Sequence, residues 1–301
     1  MLFLVNLDIL LVNHLKGMVS LDEPLRVGYR TSKNEEYDYH SHPDHYEIYF
    51  FHAGSCRYLI HNQIFDLIPG DLLLMDGMTL HKPNINPNKE YVRSVIHFSP
   101  QWIKSVLLEI DSMYLLEVFE RLHHCLIRTK ENNESKYLED VIHRLYQKKI
   151  EAIRNNTVNE SELKILLIQI LISVHHLGQL DSIKLPDRKT DKLVHSEKIA
   201  EYIQVNYKNK LSLNGIAEAL NLSKSYVSHV FKEMTGFTVM EYVMGCRLNQ
   251  VKYLLEMEPH KPLKDIAYEC GFESVSHFSR FFREKVGITA KRYRHSRLDN
   301  N

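Results

Sequence analysis

The chain has 301 residues, enough for about two domains of roughly 150 residues each. Apolar residues make up 44% and charged residues 25%, which excludes a collagen-like, coiled-coil or wholly disordered chain. Lys plus Arg and Asp plus Glu are both 38, so net charge alone points to no partner. Cys56, Cys125, Cys246 and Cys270 lie far apart in sequence. A disulfide scaffold or a zinc finger is therefore not expected, and a reducing cytoplasm is the expected home. The chain has no run of 18 uncharged apolar residues, so no membrane partner is expected.

Met1 to Val12 is apolar, but no Lys or Arg precedes Lys16 and Asp8 interrupts the run, which argues against a secretory signal. A packed N-terminal strand or arm, and an upstream extension of a chain that begins at Met18, both stay open. Short strand-like runs follow at Tyr46 to Phe51, Arg57 to His61, Asp71 to Met75 and Tyr91 to Phe98. Turn signals separate them at Ala53-Gly54, Pro69-Gly70-Asp71, Asp76-Gly77 and Pro83 to Asn88, a pattern that predicts a β-sandwich or barrel over about 20–99. Residues from about Pro100 to Gly178 read as helices. Leu163, Leu166, Leu167, Ile170, Leu171 and Val174 recur at helical spacing, and Ile165, Ile168 and Ile172 make that helix apolar nearly all round. Such a helix must be buried, against the barrel or against a second subunit. Gln179 to His195, polar with a central Pro186, reads as a linker.

From Ser196 to Asn301 the chain carries 16 basic and 12 acidic residues, and the rest carries the opposite imbalance. This third part contains a repeat. Leu213, Ile216, Ala217, Leu220 and Leu222 match Leu263, Ile266, Ala267, Cys270 and Phe272 at an offset of 50. Past the turn, Ser228, Phe231, Lys232 and Gly236 match Ser279, Phe282, Arg283 and Gly287 at 51. Each copy reads as a short helix, a tight turn and a second helix, the plan of a helix-turn-helix. Ser223 and Ser274 suit N-caps, and Gly236 and Gly287 suit the C-terminal ends. Between the copies, Thr238 to Glu256 reads as one helix of 19 residues. At roughly 1.5 Å per residue it spans about 28 Å, near the roughly 34 Å between successive major-groove segments on one DNA face.

The segment Asp265 to Arg294 resembles the AraC/XylS family of bacterial transcription regulators. Ile266, Ala267, Gly271, Phe272, Phe278, Arg280, Phe282, Arg283, Gly287, Tyr293 and Arg294 fit the family pattern. Ala290 departs from it, standing where the family usually has Pro. The resemblance implies that Ser225, Ser228 and His229 in the first head, and Ser276, His277 and Arg280 in the second, face the bases of double-stranded DNA. Arg280 suits a bidentate pair with guanine. Lys224, Lys232, Arg247, Arg283 and Lys285 are then expected on phosphates. The resemblance further implies a small-molecule effector, commonly a sugar, a homodimer, RNA polymerase as a partner, and activation as the default.

The N-terminal part also resembles a cupin barrel. His40-x-His42, Glu47 and Gly54 follow its first motif, and Pro69-Gly70-Asp71 with His81 follow a degraded second one, in which Asp76 and Met78 replace Pro and Gly. On a strand, His40 and His42 share a face, so Glu47 and His81 complete a candidate set for a divalent metal. The expectation is a pocket without a metal or other cofactor, lined by His40, His42, Glu47, Tyr49, His81, Arg93 and His97, with Arg57 in core packing or at an exposed edge instead. Aromatic rings, histidines and an arginine suit a sugar or a small carboxylate.

The expected fold is α+β in two domains. A cupin-like jelly-roll barrel with flanking helices forms an effector and dimerisation domain over 1–178, with the Pro100 to Gly178 helices, especially Leu163 to Val174, as the expected dimer interface. A linker covers 179–195. An all-α domain with two helix-turn-helix motifs joined by a long helix covers 196–301. The function expected is a ligand-responsive transcription regulator and not an enzyme. Two alternatives stay open: a metal-dependent cupin enzyme with an appended helical domain, and a DNA-binding protein whose barrel serves only for dimerisation.

Overall fold

The computed structural model describes residues 23–32, 45–60, 62–77, 80–86, 88–121, 125–129, 133–179 and 190–298. His40, His42, Met78, the Met1 to Val12 run and most of the expected linker lie outside the described residues. Seven strands come first: β1 (Leu25–Thr31), β2 (Tyr46–Gly54), β3 (Cys56–Ile60), β4 (Gln63–Leu67), β5 (Asp71–Met75), β6 (His81–Ile85) and β7 (Tyr91–Phe98). Helices α1 (Pro100–Glu109) and α2 (Tyr114–Arg121), strand β8 (Cys125–Arg128), and helices α3 (Asn133–Asn155) and α4 (Glu160–Gln179) complete the N-terminal unit. Two antiparallel sheets form, in orders β1-β7-β2-β5-β8 and β4-β3-β6.

Alternation sorts the strand side chains. Tyr49, Phe51, Leu73 and Met75 of the larger sheet point inward and meet Cys56, Tyr58, Ile60, Phe65 and Leu67 of the smaller one. Ile48, Phe50, Leu72, Leu74, Ile96 and Phe98 point outward and are covered by the helices. A sheet buried on both faces reads as a continuous apolar run, which is why YEIYFF and DLLLM stood out. β1, β4, β6 and β8 did not stand out. β1 carries two arginines and Gly28, β6 carries Pro83 on an edge where Pro is tolerated, and β8 is only four residues inside a stretch read as helical.

Helix α4 is long and apolar enough to cross a membrane by length and composition. Instead, Leu163, Leu166, Leu167, Ile170, Leu171 and Val174 are buried in the core shared with α3 and the larger sheet. Ile165 and Ile172 remain exposed on the opposite side.

The C-terminal unit begins earlier than expected. α5 (Asp191–Asn206) takes residues 191–195 from the expected linker, because the Thr190 side chain caps it by accepting from the Leu193 N–H. Then follow α6 (Leu213–Ala219), α7 (Lys224–Thr235), α8 (Val239–Met257), α9 (Leu263–Glu269), α10 (Val275–Val286) and α11 (Ala290–Leu298). The long helix predicted between the repeats is α8, opened by a capping box between Thr238 and Glu241. It serves two cores. Val239, Tyr242 and Val243 join the first head, and Leu248, Val251, Leu254 and Leu255 join the second. The first core also takes in Leu59, Ile64 and Leu80 from the barrel.

Candidate DNA interface and effector pocket

Each reading helix is set by the same local devices. Ser223 Oγ accepts from the Tyr226 N–H and Ser274 Oγ from the His277 N–H, fixing where α7 and α10 begin. Gly236 (φ 75°) and Gly287 (φ 83°) end them in the left-handed region, where a side chain would be strained. Val227, Val230, Phe231 and Met234 bury one face of α7, and Phe278 and Phe282 bury one face of α10. The opposite faces are open to solvent. They carry Lys224, Ser225, Ser228, His229 and Lys232 on α7, and Ser276, His277, Arg280 and Arg283 on α10; Lys285 is exposed near the C-terminal end of α10, two turns after Phe278. A concavity of about 810 Å³ lies along the α7 face. His277 sits edge-on to Phe272 at 5.7 Å, which orients it at the first turn of α10.

Arg247 corrects the sequence reading. It is 7% exposed, and its Nε and Nη2 donate to the carbonyls of Tyr207 (2.8 Å) and Asn209 (2.9 Å). Its guanidinium therefore ties α8 to the chain leaving α5 and presents no charge to a phosphate. Sequence reasoning also missed the acidic partner on the first head. Glu233 receives Lys192 Nζ at 2.8 Å on both oxygens and lies 3.5 Å from His229 Nε2. The spacing of His229 and Glu233, one helical turn apart, was the available signal; Lys192 carried none.

Inside the barrel a cavity of about 320 Å³ opens between the sheets. Across β1, β7 and β2, Arg26 stands opposite His97 and His97 opposite Glu47, so one row carries three polar groups. His81 reaches in from β6. Its Nε2 lies 3.0 Å from Glu47 Oε2, and His97 Nε2 lies 3.2 Å from the same oxygen. Burial would raise the Glu47 carboxyl, but the two imidazoles outweigh it and hold the group well below its ordinary range. The wall also carries Tyr49, whose hydroxyl donates to the Tyr91 hydroxyl at 2.9 Å. Arg93 lies 4.8 Å over the Tyr91 ring, and its Nη1 donates to the Thr31 carbonyl. Of the expected pocket residues, Glu47, Tyr49, Arg93 and His97 line this cavity, and His81 reaches it only through Glu47; His40 and His42 lie outside the described residues. Arg26, Tyr58, Pro83 and Tyr91 join them, and only the pairing of strands shows it. Arg57 points away from the cavity, to Asp66 and to Met234.

Two of the four candidate metal ligands, His40 and His42, lie outside the described residues. Glu47, His81 and His97 close on one another through a single carboxylate oxygen, and no group of His, Cys, Asp or Glu among the described residues is disposed to hold an ion.

Residues 24–171 match the model of the AraC-like ligand-binding domain, and residues 216–296 match that of a helix-turn-helix domain. The chain belongs to the AraC family of transcription regulators. The Msm operon regulatory protein of Streptococcus mutans is 25% identical over 86% of both chains. The melibiose operon regulatory protein of Escherichia coli is 33% identical over 31% of this chain and 30% of its own. Among solved structures, ToxT of Vibrio cholerae is 19% identical with a TM-score of 0.35, covering 90% of this chain and 97% of its own. As an AraC-family member the protein is a ligand-responsive DNA-binding regulator rather than an enzyme. The cupin-enzyme alternative lapses with that finding.

Proposed function

We propose that the protein is a sugar-responsive activator. It reads paired half-sites through α7 and α10 and takes its effector between the two barrel sheets. The observation that carries the effector reading is the cavity itself. At about 320 Å³ it falls in the range of small-molecule sites. Its rings (Tyr49, Tyr58, Tyr91) offer apolar faces, and Glu47, His97 and Arg93 offer acceptors and donors for hydroxyls, with His81 holding Glu47. A relative named for a melibiose operon supports a sugar over other small polar ligands. On DNA, Ser225, Ser228, His229, Ser276, His277 and Arg280 face the bases. Lys224, Lys232, Arg283 and Lys285 face the phosphates.

The same reading makes residues 1–178 the effector and dimerisation unit and the helices from α5 onward the DNA-binding unit. It makes the protein a cytoplasmic homodimer, paired through the exposed side of α4, that acts with RNA polymerase. Calorimetry with a panel of mono- and disaccharides tests the effector. Binding of one sugar that is weakened at least tenfold by Arg93→Ala supports the reading. A folded protein that binds none of the panel but binds small carboxylates contradicts the sugar assignment.

A further inference from the structure

The barrel cavity carries more positive than negative charge. β1 and β7 form one of its walls. Their pairing places Arg26 beside His97 at one end and Thr31 beside Arg93 at the other. His97 and Arg93 are four residues apart, a span of about 13 Å at the rise of a strand. Gly28 and Val95 face each other between them, so the middle of that wall carries little bulk. Two guanidinium groups thus line the cavity, whereas Glu47 is the single carboxylate lining it among the described residues.

The two arginines are held differently. Arg93 is 8% exposed, its Nη1 donates to the Thr31 carbonyl, and its guanidinium lies over the Tyr91 ring. Arg26 is half-buried, and its Nε is shut off from solvent with no hydrogen-bond partner among the described residues. The carboxylates whose charge reaches Arg26 are Glu23 and Glu47. Both are engaged elsewhere. Glu23 receives Lys149 Nζ, and Glu47 is shared by His81 and His97. Burial outweighs the two carboxylates and lowers the Arg26 pKa. A buried cation is costly where no partner offsets its desolvation. A bound anion offsets that cost with short, charge-assisted hydrogen bonds, which the guanidinium fork makes in pairs.

His97 stands between Arg26 and Glu47 in the row across β1, β7 and β2. Two strand spacings put the backbones of Arg26 and Glu47 about 9.6 Å apart. An anion seated on Arg26 is therefore kept from the Glu47 carboxylate by the width of a strand.

We propose that Arg26 is the specificity-determining residue of the pocket, and that the effector is an anionic sugar whose carboxylate or phosphate Arg26 receives. The inference rests on the reading of this cavity as the effector site. The faces of Tyr49, Tyr58 and Tyr91 take the sugar ring, Arg93 takes hydroxyls, and Arg26 takes the charge.

Calorimetry on the full chain tests this by comparing galactose and glucose, each with its uronate and its 6-phosphate. At least one of the acids is expected to bind tenfold or more tighter than its neutral parent. The uronate and phosphate arms identify which anion the site takes. Arg26→Gln is expected to bring that acid down to the affinity of the neutral sugar. Arg93→Gln is expected to weaken both alike and leave their ratio unchanged. Equal or tighter binding of the neutral sugars overturns the anion assignment and leaves the effector reading standing. A ratio that survives Arg26→Gln overturns the role of Arg26. Should that variant fail to fold, Arg26→Lys replaces it, since lysine keeps the charge and loses the fork. A ratio cut at least threefold then supports the role, and an unchanged one overturns it. A folded protein that binds no sugar, neutral or acidic, overturns the effector reading and this inference with it.

Discussion

Arg247 and Lys232 both stand on helices of the DNA-binding unit, yet only Lys232 offers its charge to solvent. Arg247→Ala strands two backbone carbonyls and is expected to cost about 2–4 kcal/mol of folding stability, with the salt dependence of DNA binding unchanged. Lys232→Ala is expected to lower the slope of log K against log salt by about 0.9, with little change in stability. Thermal melts and a salt titration separate the two roles. A second pair of residues contributes to the pH response. Burial holds the His52 imidazole down at about 4, against an ordinary 6.5. Burial likewise pushes the Asp71 carboxyl up to about 6, against an ordinary 3.8. The His52 contribution is therefore fully present above pH 6.5 and lost as the pH falls toward 4. Asp71 acts oppositely: folding gains stability as the pH falls from 6 toward 3.8. The two slopes offset one another in the parent. Asp71→Asn is expected to leave a melting temperature that falls by a few degrees between pH 6.5 and 4, and His52→Asn one that rises. Parallel curves for both variants would contradict this assignment.

At the scale of elements, α10 carries the strongest expectation for base reading. Arg280→Ala is expected to cost about 1–3 kcal/mol on the best DNA site and to relax preference at one base pair. Uniform weakening across all sequences would instead mark Arg280 as a phosphate contact. The outer side of α4 presents Ile165 (57% exposed) and Ile172 (37% exposed), seven residues and so two turns apart. Ile165→Asp with Ile172→Asp is expected to turn a dimer into a monomer in sedimentation, with the melt of the fold retained. A dimer that persists would move the interface elsewhere. These helices were legible because their cues are local: a capping serine, an apolar period, a terminal glycine. Strand β6 was not, since HKPNI carries no alternating apolar residues and Pro83 to Ile85, expected as the start of a turn, are strand instead; its identity comes from pairing with β3. The start of α5 was hidden for a related reason. One Thr190 hydroxyl begins it inside a polar stretch whose composition reads as linker.

At the scale of the whole molecule, the sequence displayed two units and their order, because a 50-residue repeat and a run of short strands are periodic features. It did not display how the units meet. Leu59 and Ile64 read as ordinary strand residues, and Met234 as an ordinary helix residue, until both faces of β3 are seen to be covered. The pocket was half legible. Glu47 and His81 stood out from their spacing, while Arg26 and Tyr91 enter only through neighbouring strands. Two reading heads on one helix are proposed to recognise paired DNA segments. Purified protein mixed with fragmented genomic DNA at about 150 mM salt, where weak phosphate-only binding is suppressed, tests this most directly. Recovery of a few fragments sharing paired half-motifs about one DNA turn apart is the predicted result. Uniform recovery of all fragments, or of none with and without candidate sugars, would contradict it.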